Sequence, residues 1–457
     1  MPEQPDRDLI TRLADAVDAL MPQAISTLED LVAIPGIAWD SFDREPLERS
    51  ARTVAELIRG LGLDDVEILT EAGGGPAVVG RRPAAPGQPT VLLYAHHDVQ
   101  PVGDLALWQT EPFTAVERDG RLFGRGAADD KAGIMVHLTA LKALLDVGAD
   151  PGVGVTFFIE GEEEAGSPTF RAFLDRHRDR LAADVIVVAD SGNWKVGVPA
   201  LTTSLRGLVD GVIGVRVLDH AVHSGMYGGP VLDAPTLLAR LIATLHDDQG
   251  NVAIAGLEQR HHAAIEYPEA DYRADASVLD PVRLAGSGPL ADRLWNRPAL
   301  SIIGTDVPRL EVASNTLQPE ARAKFSLRLG PGTDPEQAMA AVREHVLAQD
   351  LFGAEVFFEP GETGQPFATD TSAPAARAML DSLRDAWGVE PVETGIGGSI
   401  PFTADLVEVF PAATLLITGV EDPDSRAHSA NESLHLGDFR NAVLAEALLL
   451  VRLGAGA

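Results

Sequence analysis

Apolar strand-like runs alternating with helical periodicity predict an α/β fold: a mostly parallel sheet with helices on both faces, plus an inserted α+β unit with an antiparallel sheet. Two observations carry this. Val91–Tyr94, Val153–Ile159 and Val185–Ala189 are short, predominantly apolar and contain β-branched residues, as expected of strands covered on both faces. After Ala200 the runs alternate with polar positions and glycines, the pattern of antiparallel pairing. At 457 residues the chain is too long for one typical domain. The expected division is a catalytic domain of residues 1–204 and 366–457, with residues 205–365 inserted as a lid and dimerisation domain.

From Arg7 to Ile34 apolar residues recur at three- and four-residue steps, giving one long helix or a pair that breaks at Pro22. A second helix, Glu45–Leu61, stops in the neighbourhood of Gly60 and Gly62. Strands Val66–Leu69 and Ala77–Gly80 precede Val91–Tyr94, and Arg121–Lys131 reads as a Gly-rich loop running into helix Ala132–Val147. Strand Val153–Ile159 runs out into Glu160–Gly166, and a helix near Pro168–Arg178 leads to Val185–Ala189, which ends in Asp190. In the insert, Leu201–Val217 suggests antiparallel strands, followed by a helix near Pro235–Leu245. Strand-like runs bracket Asn315 and Arg328 before helix Pro335–Leu347 and strand Glu355–Glu359; about Gln259 to Asn296 no element is assigned. Helix Ala373–Trp387, the Gly395–Ser399 loop, strand Ala413–Thr418 and helix Gly437–Leu453 complete the first domain.

The net charge of -32 repels nucleic acid and anionic membranes, so neither is an expected partner. With no cysteine, disulfides, thiolate metal sites and cysteine nucleophiles are all excluded, and any metal must bind through His, Asp and Glu. Met1–Asp8 has neither the basic nor the apolar region of a secretory signal. No apolar run reaches membrane-spanning length; Ala442–Val451 is interrupted by Glu446. The expectation is a soluble, cytoplasmic protein.

The chemistry gathers at strand ends. His96 with Asp98, then Asp129, the Glu162–Glu164 run and Asp190 follow successive strands, and His428 follows a late one. In open α/β sheets ligands bind beyond the carboxyl ends of strands. Imidazole and carboxylate together suit hard or borderline divalent ions, and Asp129 could bridge two of them. A free carboxylate beside them could deprotonate a metal-bound water, which is metal-assisted hydrolysis. Each piece has a structural reading. The glutamates could start a solvated helix, Asp129-Asp130 could be an N-cap, Asp190 could close a turn, and His223 could be a loop residue. His435 is read as structural. Five metal-type groups at successive strand ends make the joint reading a two-metal hydrolase.

These residues resemble a known family: di-metal metallopeptidases that include carnosine-type dipeptidases, aminoacylases, glutamate carboxypeptidases and succinyl-diaminopimelate desuccinylase. The resemblance spans nearly the whole chain. Its specific segments are Tyr94–Pro101, Gly124–Lys131, Glu160–Ser167 and His223–Gly225. It implies that His96, Asp129, Glu164, Asp190 and His428 bind two divalent ions, zinc first, with manganese or cobalt as alternatives. Asp129 would bridge them and precede a cis peptide. Asp98 would orient His96, and Glu163 would be the general base on a metal-bridging water. Three consecutive glutamates leave a second register, in which Glu162 and Glu163 take these roles.

The resemblance further implies that His223 stabilises the oxyanion from a partner subunit, so that activity needs a homodimer. Arg328 would clamp the C-terminal carboxylate of a small peptide substrate, while Asn315 and Ser399, the latter in Gly397–Pro401, would contact substrate. Two positions depart from the family pattern: Ala95 replaces the usual Gly, and His97 stands where Leu or Thr is usual. His97 is expected to face the core. The loop Ser191–Trp194 is similar to the dipeptidase branch, so the expected activity is dipeptide hydrolysis. The rival is an N-acyl-amino-acid amidohydrolase using the same site; a non-catalytic binding protein is a third reading, which the complete ligand set opposes.

Overall fold

The computed structural model describes residues 7–257, 259–398 and 401–456. Helix α1 (Arg7–Val32) runs unbroken past Pro22, because its face of Leu13, Val17, Met21, Leu28 and Leu31 is buried in the core. Helix α2 (Glu45–Gly60) leads to strands β1 (Asp65–Thr70), β2 (Pro76–Arg82) and β3 (Thr90–His96). Two three-residue strands, β4 (Val116–Arg118) and β5 (Arg121–Phe123), come next. β5 corrects the expectation of a continuous loop from Arg121; it pairs with β4, which periodicity cannot reveal over three residues. Then follow α3 (Lys131–Asp146), β6 (Gly154–Glu160), α4 (Phe170–Leu181), β7 (Val185–Val188) and β8 (Ala200–Leu205).

The insert contains β9 (Gly207–Arg216), β10 (Val222–His223), α5 (Ser224–Tyr227), α6 (Ala234–Ala243), α7 (Glu269–Asp275) and α8 (Leu290–Trp295). It continues through β11 (Ala299–Asp306), β12 (Thr316–Leu317), β13 (Glu320–Leu329), α9 (Pro335–Leu347), β14 (Glu355–Gly364) and β15 (Phe367–Ala368). Helices α7 and α8 occupy the stretch left unassigned from sequence; at seven and six residues they are too short to show a period. The chain ends with α10 (Pro374–Trp387), β16 (Val392–Ile396), α11 (Pro401–Val409), β17 (Thr414–Ile417), β18 (Ser433–His435) and α12 (Leu436–Ala455). β16 and α11 were also not anticipated.

Two compact units result. One comprises Met1–Thr203, Thr369–Thr394 and Pro401–Ala457, the other Ser204–Ala368 and Gly395–Ile400. In the first, the strand order is β1-β2-β6-β3-β7-β17-β8. The central strands β6, β3, β7 and β17 are parallel, and the flanking pairs are antiparallel. Alternation along β3 sends Val91, Leu93 and Ala95 into the core shared with α1, α2, α3, α10 and α12. Tyr94 faces the other way, its ring 4.6 Å from Phe402 of α11 and 6.1 Å from Phe170 of α4. In the second unit, β9 lies between β13 and β14 with β11 at the edge, all antiparallel. Helices α6 and α9 cover the apolar face of this sheet.

Beneath the end of β3, the Tyr94 hydroxyl donates to Glu160 Oε2 at 2.6 Å in a fully buried setting. Burial, against the Tyr94 and Ser167 hydrogen bonds and with the Asp98 and Glu162 charges, pushes the Glu160 carboxyl up to about 8. The folded chain therefore holds a proton that the unfolded chain releases near its ordinary value of about 4.3. Its contribution to stability is complete below that value and is lost as pH rises through about 8. In chelator-treated protein, melting temperature should fall more steeply from pH 5 to 8 in the wild type than in Glu160→Gln. Parallel profiles would show that the carboxyl ionises freely in the fold.

Candidate metal centre

β3 ends at His96, whose ring is fully buried. Its Nε2 lies 3.0 Å from Asp129 Oδ1, and its Nδ1 lies 3.2 Å from the Asp98 carbonyl oxygen and 3.4 Å from Asp98 Oδ1. The same Asp98 carboxylate accepts the backbone N–H groups of Glu163 (3.2 Å) and Glu164 (3.0 Å). Asp98 thus contacts both the imidazole and the glutamate turn. His97, one residue on, turns to the opposite side and bonds the Pro76 carbonyl at 2.7 Å; burial holds it down to about 4. It is a core residue.

The second set of donors assembles around the other oxygen of Asp129. His428 Nε2 lies 3.1 Å from Asp129 Oδ2 and 3.2 Å from Glu164 Oε2. Gln100 fixes Glu164, donating its side-chain amide to Oε2 at 2.7 Å and its backbone N–H to Oε1 at 3.1 Å. The ligand atoms of His96, Asp129 and Asp190 lie within 4.8 Å of one another, as do those of Asp129, Glu164 and His428. Asp129 belongs to both groups, and the Asp129-Asp130 peptide is cis. The loop carrying His428 places three non-glycine residues, Arg426, His428 and Asn431, at positive φ. Each costs roughly 1–2 kcal/mol, which the surrounding bonds must offset. Arg121 supplies several, reaching Asp422, Ser425 and Ser433 at the loop base, and Asn431 ties its tip to Leu107 and Gln109.

Both groups fit divalent ions. Their donors are nitrogen and oxygen only, and the paired atoms at 3.0–3.2 Å approach the edge of about 3.4 Å expected for a tetrahedron with bonds near 2.1 Å. The electrostatics agree. Burial, opposed by His96 and reinforced by like charges, pushes Asp190 up to about 7 and Glu163 up to about 9. Glu421, passed over in the sequence, is raised well above the carboxylate range by burial and then by Asp129 and Asp190. Asp129 moves the other way: burial raises it, but the hydrogen bonds from His428 and His96 outweigh that. Those contacts with Asp129 and Glu164 push His428 up to about 11. Carboxylates crowded into a buried pocket call for cations.

Within the glutamate run the side chains diverge. Glu162 Oε2 accepts the Gly75 N–H at 2.6 Å, and Oε1 accepts the Thr169 N–H and hydroxyl at 2.8 and 2.7 Å. Glu162 is therefore engaged with the neighbouring loops, while Glu164 meets His428. His435 caps α12 by accepting the Asp438 N–H. Asp130 stands at the N-cap of α3 without a side-chain capping bond and instead accepts the His96 N–H at 3.1 Å.

In the other unit, exposed His223 ends β10 opposite Thr316 of β12, and its Nδ1 accepts the Gly225 N–H at 3.0 Å. Asn315 is next to that pairing, its carbonyl accepting the Ser224 N–H at 2.9 Å. Arg328 lies on β13 between Leu208 and Ala299. Ser399 lies outside the described residues. Sequence reading missed Arg206: it is buried, donates Nε to the Gly397 carbonyl at 3.0 Å, and its Nη1 has no hydrogen-bond partner among the described residues. Burial and then the Arg328 cation lower its guanidinium to about 10. It also missed Gln100, whose role appears only once Glu164 is seen beside it.

The two glutamate registers predict different outcomes. Glu164→Ala should bind one zinc equivalent instead of two on titration of chelator-stripped protein. Glu162→Ala should retain both equivalents while losing roughly 1–3 kcal/mol of stability for the hydrogen bonds removed. The reverse pattern would assign the ligand to Glu162.

A family model for "Peptidase family M20/M25/M40" matches residues 92–452. The chain is 36% identical over 413 residues to a cysteinylglycine-S-conjugate dipeptidase of Corynebacterium striatum, covering 89% of this chain and 90% of that protein. It is 26% identical over 464 residues to a Beta-Ala-His dipeptidase of Rattus norvegicus, covering 95% and 94%. Among solved structures, the di-peptidase Dug1p from Saccharomyces cerevisiae shares the fold at a TM-score of 0.73 and 24% identity, covering 97% of this chain and 98% of that one. With its two donor groups joined at Asp129, the chain belongs to peptidase family M20/M25/M40.

Proposed function

We propose that this metallopeptidase is a zinc-dependent, homodimeric dipeptidase that cleaves small peptides bearing a free C-terminal carboxylate. The observation that carries the reading is the pair of donor groups sharing Asp129, with Glu163 in the same buried field. The dipeptidase relatives direct it to dipeptides. When bound, two divalent ions would acidify water and polarise the scissile carbonyl. His96, Asp129 and Asp190 would hold one ion, and Asp129, Glu164 and His428 the other.

Glu163 is the general base in this reading. It takes a proton from the attacking water and delivers it to the leaving amine. Asp98 keeps the imidazole and the glutamate turn in register. His223 donates to the oxyanion. Arg328 receives the terminal carboxylate, with Asn315 and Ser399 lining the substrate. The buried guanidinium of Arg206, whose Nη1 has no hydrogen-bond partner among the described residues, feels the Arg328 cation, and two cations brought together favour an anion between them, which supports carboxylate binding.

The inserted unit acts here as lid and dimerisation domain. Its exposed apolar residues support that role: Leu310 is 90% exposed, Val312 73% and Ile303 57%, the last on edge strand β11. Among the described residues no helix is long and apolar enough to cross a membrane. The lack of cysteine and the charge of -32 are compatible with the cytoplasm.

Two measurements test the reading. A mixed panel of dipeptides and N-acyl amino acids, incubated with zinc or manganese and separately with chelator, should show chelator-sensitive loss of dipeptides. Preferential loss of the acyl amino acids would make the enzyme a deacylase. Glu163→Gln should retain both metal equivalents while kcat falls by at least 10²-fold, the lower end expected for a general base. Near-wild-type turnover would remove Glu163 from that role.

A further inference from the structure

Arg125 and Glu432 are among the most deeply buried charged residues of the chain, at 1% and 0% exposure. Arg125 Nη1 donates to Glu432 Oε2 at 2.7 Å. The same carboxylate accepts three backbone N–H groups: Gly126 at 3.1 Å, Ala128 at 3.0 Å and Asp129 at 3.2 Å. The Glu432 carbonyl accepts a fourth, from Gly124 at 3.0 Å. One side chain therefore grips the backbone of the loop that carries Asp129, while its own loop carries His428. The guanidinium adds the segment after β3. It lies 5.4 Å from the Trp108 ring, and Nη2 reaches the Pro101 carbonyl at 3.4 Å. Three chain segments that carry or follow the donors meet at this pair.

Stability alone does not account for such a pair. Desolvating two charges is costly, and a buried ion pair can often be replaced by apolar residues of similar volume without loss. An apolar pair cannot, however, hold the N–H groups of Ala128 and Asp129 in a set direction. We propose that Glu432, locked by Arg125, is a positioning residue that fixes Asp129 against His428 so that the shared carboxylate can serve both metal ions. This rests on the two-metal reading and names the device that assembles it. Groups that orient metal ligands from behind typically govern affinity by 10–100-fold when removed.

The test uses full-length protein stripped of metal and titrated with zinc and, separately, with manganese. Two variants are compared with the wild type: Glu432→Gln, and the double substitution Arg125→Met with Glu432→Met. The wild type should bind two equivalents. The double variant should melt, metal-free, within a few degrees of the wild type, yet bind at least one equivalent about 10–100-fold more weakly. Glu432→Gln, which keeps volume but sets an amide N–H₂ against other donors, should show the same weakening. At saturating metal both should recover kcat in part, with the substrate KM unchanged.

Wild-type affinity for both equivalents in either variant would overturn the positioning role. So would a loss of affinity that simply follows the melting temperature of the metal-free protein. A wild type that binds no metal would overturn the two-metal reading beneath it, which separates the two failures. If the double variant does not fold, the Glu432→Gln titration decides the matter alone.

Discussion

The sharing of Asp129 between two histidines is the constraint on which the rest of the site depends. A single carboxylate meets His96 through one oxygen at 3.0 Å and His428 through the other at 3.1 Å. The residues come from positions more than 330 apart in sequence, so this contact forms only when β3, the loop before α3 and the loop before β18 are all in place. Much of the surrounding hydrogen bonding serves that end. Asp98, Gln100, Arg121 and Glu432 each bind a loop that carries a donor, and none belongs to either donor group itself. The parallel sheet makes this affordable, because its strand ends stop at one edge and bring their loops together.

The arrangement also explains the electrostatic imbalance. Asp190, Glu163 and Glu421 are all raised, whereas Asp129, with a histidine on each oxygen, is held low. The two imidazoles outweigh burial at Asp129, which both touch, but only partly oppose it at Asp190 and Glu163. The remaining carboxylates retain unfavourable burial and mutual repulsion, which divalent cations in the two donor groups would relieve.

Much of this was legible in the sequence, for identifiable reasons. Val91–Tyr94 reads as a buried strand because both of its faces are covered, by α1, α3 and α12 on one side and by Phe170 and Phe402 on the other. His96, Asp129, the Glu162–Glu164 run, Asp190 and His428 stand out because charged groups ending apolar runs are conspicuous. The fates of Glu162, Glu163 and Glu164 were not legible. Three identical residues in a row carry no direction; in the fold Gly75 and Thr169 engage Glu162, whereas Gln100 and His428 engage Glu164. Gln100, Arg206 and Glu432 were invisible as contributors for a related reason: their importance lies in what they touch, often hundreds of positions away. β5, α7 and α8 escaped because six or seven residues, or three, hold too little of a period to detect.

The way the insert joins the first unit has a consequence for how the chain folds. The Thr369 N–H donates to the Thr203 carbonyl at 2.8 Å, so the first unit is left and re-entered at adjacent points. Within the insert, Phe367 and Ala368 pair with Leu205 and Ser204, so its own two ends also close on each other. Once the insert has folded, the two halves of the first unit are tethered by a short bridge instead of by a long flexible coil. The entropy of closing that excursion is then met by the insert's own core, and the late segment bearing His428 searches for its partners as if it followed β8 almost directly.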